Sequence, residues 1–175
     1  NAPRAGYVYP AGGRQGTTVQ IVVAGQFLDA AQEALVSGRD VTAAIVSIDK
    51  PLNQRQIQEL RDRIQSMQPK AAADPVVRQQ LIPLRAQLAD SVRRNRTPNF
   101  SDLATIEMDI DRDAEPGLRQ LRIQTAVGLS NPVWFQIGQL PEVRERDLKL
   151  SLADAELAVT LPVTANGRLI PGDVD

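Results

Sequence analysis

The chain has 175 residues, a formal net charge of −1, 42% hydrophobic and only 3% aromatic residues, which suits one domain with an appendage and a core of Val, Ile, Leu and Ala. The near-zero charge favours neither nucleic acid nor acidic substrates. The lack of Cys and His removes disulfides, thiol nucleophiles, histidine bases and the usual zinc and copper ligands.

Residues 1–16 are rich in Gly and Pro and read as an extended lead-in and a loop. They begin at Asn1 without Met, as a processed or trimmed N-terminus does, and no signal peptide is visible. Thr17, Val19, Ile21 and Val23 then alternate with Thr18, Gln20 and Val22. This period of two marks a half-buried strand, ended by Gly25. Phe27 and Leu28 follow as a plug for one end of a core. Residues 29–33 carry no clear period. Ala34–Val36 and Val41–Ile48 are strand-like, with Ser37-Gly38-Arg39-Asp40 between them as a hairpin turn.

From Lys50 to Pro98 the period changes to about 3.5. Ile57, Leu60, Ile64 and Met67 share one face of a helix that Asn53 caps. Residues 68–74 read as a connector. Asp74-Pro75 starts a second helix with the stripe Val77, Leu81, Leu84, Leu88 and Val92. Pro83 within that stripe predicts a kink or a division. Two consecutive amphipathic helices make an antiparallel hairpin. This segment holds ten Lys or Arg against four Asp or Glu, and no aromatic residue that would stack on single-stranded nucleic acid. Its charge reads as a solvated outer face, with contact to an acidic partner or nucleic acid as the alternative.

Residues 104–138 organise the rest. Ile106, Met108 and Ile110 alternate with acidic residues, Leu121 and Ile123 with Arg122 and Gln124, and Val133, Phe135 and Ile137 with Trp134 and Gln136. These are three half-buried strands. Glu115-Pro116-Gly117 is a tight turn between the first two, and residues 128–132 are the next break. The expected fold is mainly β: an antiparallel β-sandwich from residues 1–49 and 99–139, a two-helix hairpin inserted at 50–98, and a linker with the start of a further β unit at 140–175. No apolar run reaches the roughly 18 residues of a membrane-spanning helix.

Two stretches carry a resemblance. Pro10-x-Gly-Gly-x-x-Gly16-Thr-Thr-Val19-x-Ile21-x-Val23-x-Gly25-x-Phe27-Leu28 is one part. Asp113-x-x-Pro116-Gly117-Leu-x-x-Leu-x-Ile123-x-Thr125-x-x-Gly128-x-Ser130-Asn131-Pro132-x-x-Phe135-x-Ile137 is the other. Together they resemble an immunoglobulin-like module of the IPT/TIG type over about half the chain, and imply an Ig-like sandwich; compact members lack the helical insertion. The tail, Leu161-Pro-Val-Thr-Ala-Asn-Gly167-Arg-Leu-Ile-Pro-Gly172-Asp173-Val-Asp175, is similar to the opening of bacterial pre-peptidase C-terminal domains. That similarity implies a piece of a larger exported bacterial protein, located outside the cell, at its surface or in the periplasm. Some such domains bind calcium, but Glu145-Arg-Asp147-Leu-Lys149 stands here where the calcium-binding segment would be, without its Pro-Asn part.

No residue set commits to a cofactor. Glu107, Asp109, Asp111, Asp113 and Glu115 recur at every second position and would share one face of an extended strand. Asp109, Asp111 and Asp113 are thus weak calcium candidates. They lack the Gly and the bidentate Glu of an EF-hand loop, and an outward polar face that discourages edge pairing explains them as well. Trp134 should face away from the core and be covered by the hairpin or a neighbouring domain, or else anchor a partner. Tyr7 and Tyr9 belong to a similar patch. No pair of side chains stands out for nucleophilic or acid–base work, so the chain reads as non-catalytic. The expected role is structural, adhesive or domain-spacing, with neighbouring domains or other copies as partners, and with no nucleic acid and no membrane insertion. Strand addition by Val159–Asp175 to a neighbouring copy, and an accessory or substrate-binding domain of a larger secreted hydrolase, are the alternatives.

Overall fold

The computed structural model describes residues 1–72, 74–144 and 159–167. In chain order the elements are β1 (Arg4–Tyr9), β2 (Gly12–Arg14), β3 (Thr17–Gln26), β4 (Ala31–Val36), β5 (Val41–Asp49), α1 (Gln54–Ala71) and α2 (Pro75–Arg96). A 3-10 turn (Pro98–Phe100) precedes β6 (Asp102–Ile110), β7 (Gly117–Thr125), β8 (Gly128–Leu129), β9 (Val133–Gly138), β10 (Glu142–Arg144) and β11 (Thr164–Asn166). One sheet runs β1-β3-β6-β5, antiparallel throughout. The other runs β2-β9-β7-β4, with β8 also on β7. The protein is mainly β, with a two-helix insertion between β5 and β6.

The period-two residues do what alternation demands. Ile106, Met108 and Ile110 point inward from β6, and Ile21 and Val23 from β3. They meet Leu121 and Ile123 of β7 and Val133, Phe135 and Ile137 of β9 in one buried cluster. Ile106 lies between Ile21 and Ile45 in the register. Leu28 is fully buried at the end of this core, whereas Phe27 is 40% exposed. The plug is therefore Leu28 alone.

Several expectations need correction. The first sixteen residues are not a lead-in: they form β1 and β2. Gly6 and a register shift between Ala5 and Tyr7 blur the alternation of β1, and β2 is only three residues long. The sandwich is not purely antiparallel, because β2 runs parallel to β9. Residues 37–40 are not a hairpin turn, since β4 and β5 lie in different sheets. Likewise the Glu115–Gly117 region does not turn β6 back on β7: residues 111–116 carry the chain across the sandwich. The two crossings are tied together by the Asp111 N–H donating to the Asp40 carbonyl at 2.9 Å. Turn residues at a hairpin and at a sheet-to-sheet arch are alike, so local sequence does not separate them.

The helices begin as expected. The Asn53 side chain accepts from the Gln56 N–H at 2.9 Å, and the Gln56 side chain accepts from the Asn53 N–H at 3.0 Å, a reciprocal cap. The Asp74 side chain accepts from the Val76 N–H at 2.8 Å with Pro75 in the first turn. They end later than expected: α1 continues through Pro69 to Ala71, and α2 passes Pro83 undivided. Packing of the two apolar stripes outweighs the local cost of proline. Leu60, Ile64, Ala71 and Leu81 are buried between the helices, joined by Met67, Val77, Leu84 and Leu88, in a cluster separate from that of the sandwich.

The last turns of α2 grip the strand that leads into the hairpin. Arg94, only 5% exposed, brings Nη1 to 2.8 Å from Asp49 Oδ2 and Nε to 3.2 Å from Asp90 Oδ2. These are ion pairs by distance, without the alignment of hydrogen bonds. Asn95 Nδ2 donates to the Leu52 carbonyl at 2.8 Å, and the Leu52 N–H donates to Ser91 Oγ at 3.3 Å.

Candidate functional site

The site forms where the chain changes sheets. β1 pairs with β3 only from Val22 to Gln26, because after Tyr9 the chain crosses to the other sheet as β2. Among the described residues, Thr17–Ile21 therefore have no strand partner on that side of β3. The tail comes back into this gap. β10 and β11 pair in parallel, Glu142 with Thr164 and Arg144 with Asn166. A ribbon this short is not stable alone, and the sandwich supplies what it lacks.

Asn166 makes most of that attachment. Its side-chain oxygen accepts from the Ala11 N–H at 3.3 Å, its carbonyl accepts from the Tyr9 hydroxyl at 3.2 Å, and its Nδ2 donates to Glu142 Oε2 at 2.7 Å. Arg144 Nη2 donates to the Gln20 carbonyl of β3 at 2.8 Å. Between the tail and β2–β3 lies a half-open cleft of about 330 Å³, lined by Gly12, Gly13, Arg14, Thr17 and Thr18 on one side and by Glu142, Arg144 and Asn166 on the other. A Cβ at Gly12 would come within 2.9 Å of the Gln136 carbonyl oxygen and 3.2 Å of Glu142 Oε1, so the glycine leaves room for the carboxylate.

Burial pushes the Glu142 carboxyl above the usual carboxylate range, against the smaller opposing effects of Asn166 donation and the Arg144 charge. At the other end of the sandwich the hydrogen bond from Lys50, at 2.7 Å, holds Asp29 below its ordinary value. The cleft offers cations, one carboxylate and hydroxyls.

The residues singled out from the sequence scatter. Asp109 is exposed on β6 and accepts from the Thr18 hydroxyl at 2.9 Å. Asp111 and Asp113 lie past the end of that strand, where Asp111 accepts from the Asp113 N–H at 2.9 Å. The carboxylate row thus does not share one strand face. Among the described residues no three Asp or Glu side chains gather as a metal site. Trp134 points outward from β9 opposite Gln120 and is 53% exposed, so any cover is partial. Tyr7 packs against Phe100 with ring centroids 5.6 Å apart and tilted by 56°. Tyr9 stands apart from it, bound to the tail. Glu145, Asp147 and residues 168–175 fall outside the described residues.

Sequence reasoning passed over Arg14, Glu142, Arg144 and Asn166. The i, i+2 spacing of Glu142 and Arg144 was the available signal, since it places both on one face of a strand. The partner of Glu142 is 24 positions away, and those of Arg144 and Asn166 on the sandwich are more than 100 positions away along the chain. Beyond this geometry, no protein-family model matches the chain, and comparison with the curated proteins finds no relative.

Proposed function

We propose that the chain is a non-catalytic structural module built on an immunoglobulin-like sandwich, which spaces or docks neighbouring domains of a secreted or cell-surface bacterial protein. The strand order supports the immunoglobulin-like part. With β1, β3, β4, β5, β6, β7 and β9 taken as A to G, the sheets read A-B-E-D and G-F-C, the arrangement of a constant-type immunoglobulin sandwich. β2 then corresponds to an edge piece that continues strand A on the opposite sheet. The secreted bacterial setting rests on the resemblance of the tail alone.

One observation carries the spacing role. The chain enters beside the hairpin, where Arg4 pairs with Gln26 and Gly25 with Asp102. It leaves β9 at Gly138, which pairs with Arg14 at the opposite end. Entry and exit at opposite ends suit a serial spacer, because the ten residues of β3 hold the two ends about 33 Å apart. The test places the chain between two fluorescent domains. Energy transfer should report a narrow separation, distinct from that across a Gly/Ser linker of equal residue count. A distribution matching the flexible linker would overturn the proposal.

Self-assembly through the tail is the second reading. The contacts that β11 makes with β10, Tyr9 and Ala11 in one chain are those that an exchanged tail would make in a neighbour. Light scattering over a concentration series separates the readings: oligomers that vanish on deleting residues 159–175 favour exchange, and a strict monomer rejects it.

A further inference from the structure

We propose that the cleft between β2–β3 and β10–β11 binds a small ligand through a carboxylate or phosphate group held between Arg14 and Arg144. Both arginines line one cavity, Arg14 from the sandwich and Arg144 from the returning tail. Among the described residues the Arg14 side chain has no hydrogen-bond or ion-pair partner, and Arg144 spends Nη2 on the Gln20 carbonyl. Each guanidinium carries five N–H donors, so most of this capacity is unspent. An anionic oxygen pair is the acceptor that matches such forks best, through charge-assisted hydrogen bonds.

The carboxylate already in the cleft does not fill that role. Glu142 Oε2 is engaged by Asn166 Nδ2. Its Oε1 lies beside Gly12, 3.2 Å from where a Cβ would stand, and the Arg144 charge acts on the group without an ion-pair contact among the described residues. Its remaining oxygen is an acceptor for a hydroxyl or amide of the ligand. The Thr17 hydroxyl donates to the Arg14 carbonyl at 2.6 Å and fixes the backbone from which Arg14 projects. Val19 gives the wall an apolar patch for the carbon skeleton. A volume of about 330 Å³ lies at the small end of ligand pockets and leaves room for a sugar acid or an amino acid.

The test is an amide NMR titration of the full chain at constant ionic strength with inorganic phosphate, with D-glucuronate, and with D-glucose as the neutral control. Saturable shifts at Gly12, Gly13, Arg14 and Thr18 are expected with at least one anion and not with glucose. Phosphate alone would identify a phosphate ligand, glucuronate alone a carboxylate. Arg14→Gln and Arg144→Gln should each weaken the response about tenfold or more, the loss of one charge-assisted contact. Arg144 also helps to hold the tail, whereas the Arg14 side chain does not, so Arg14→Gln is decisive provided its thermal midpoint is unchanged. Absence of saturation with both anions, an equal response to glucose, or a response that survives Arg14→Gln would overturn the proposal.

Discussion

Phe135 is the only aromatic side chain in the buried cluster of the sandwich and the largest one fully buried. A core otherwise made of Ile, Val, Leu, Met and Ala closes around it, so Phe135→Ala should cost about 3–5 kcal/mol in denaturant unfolding. Glu142 leads to a prediction of a different kind. Its carboxyl is raised by burial, so its contribution to stability is fully present below the ordinary carboxylate pKa and is lost as pH rises through the raised value. The stability of Glu142→Gln relative to the parent should therefore increase from acid to neutral pH. A difference that does not change with pH would refute this. Asp29 acts in the opposite sense: its contribution is present above the ordinary value and is lost as pH falls through the lowered one. Both partners of the Asp29–Lys50 pair are half exposed, so screening by solvent keeps its worth within about 1 kcal/mol.

At the scale of elements, the hairpin is a unit with its own apolar cluster. Asn53→Ala removes one half of the reciprocal cap and should cost about 1 kcal/mol. Hydrogen exchange should show the loss in the first turns of α1 while β3 and β6 stay protected; equal loss in the strands would mean that the two clusters are coupled. Arg94 controls how the hairpin is seated. Its buried stem and its pairs to Asp49 and Asp90 lie at the joint, so Arg94→Ala removes packing as well as charge. Faster exchange at Leu52 and Asn95 is expected, with the middle of the hairpin unchanged. The edges of the sandwich are managed as well. Bulges interrupt β4 between Ala31 and Glu33, and β5 between Ile45 and Ser47. Both bulges weaken the ladder that an edge strand would offer to a neighbour.

At the scale of the molecule, the hairpin is an insertion into a complete sandwich. β5 and β6 are direct antiparallel partners, with Asp49 opposite Leu103. Replacing residues 51–97 by a short Gly/Ser turn should leave a cooperatively folding β protein, because the sandwich cluster contains no helical residue. Loss of the β signal in circular dichroism, or loss of a sharp thermal transition, would show that the hairpin is required for the fold. The same excision should leave the cleft at the other end, and its ligand response, intact.

Periodicity alone determined much of this protein. The inward faces of β3, β6, β7 and β9, the two helical stripes and both helix caps were legible, because each depends on residues within a few positions of one another. The partner of each strand was not. Residues 37–40 and 111–116 have the composition of ordinary turns, and only the packing of two sheets on one core makes them crossings. Pro69 and Pro83 end helices by local preference and are carried through by the contacts between α1 and α2. Of the cleft residues, Glu142 and Arg144 carried only an i, i+2 spacing, and Arg14 and Asn166 had no local signature. Their cleft exists because β1 leaves its sheet early and the tail returns to the gap, so contacts over more than a hundred positions decide it.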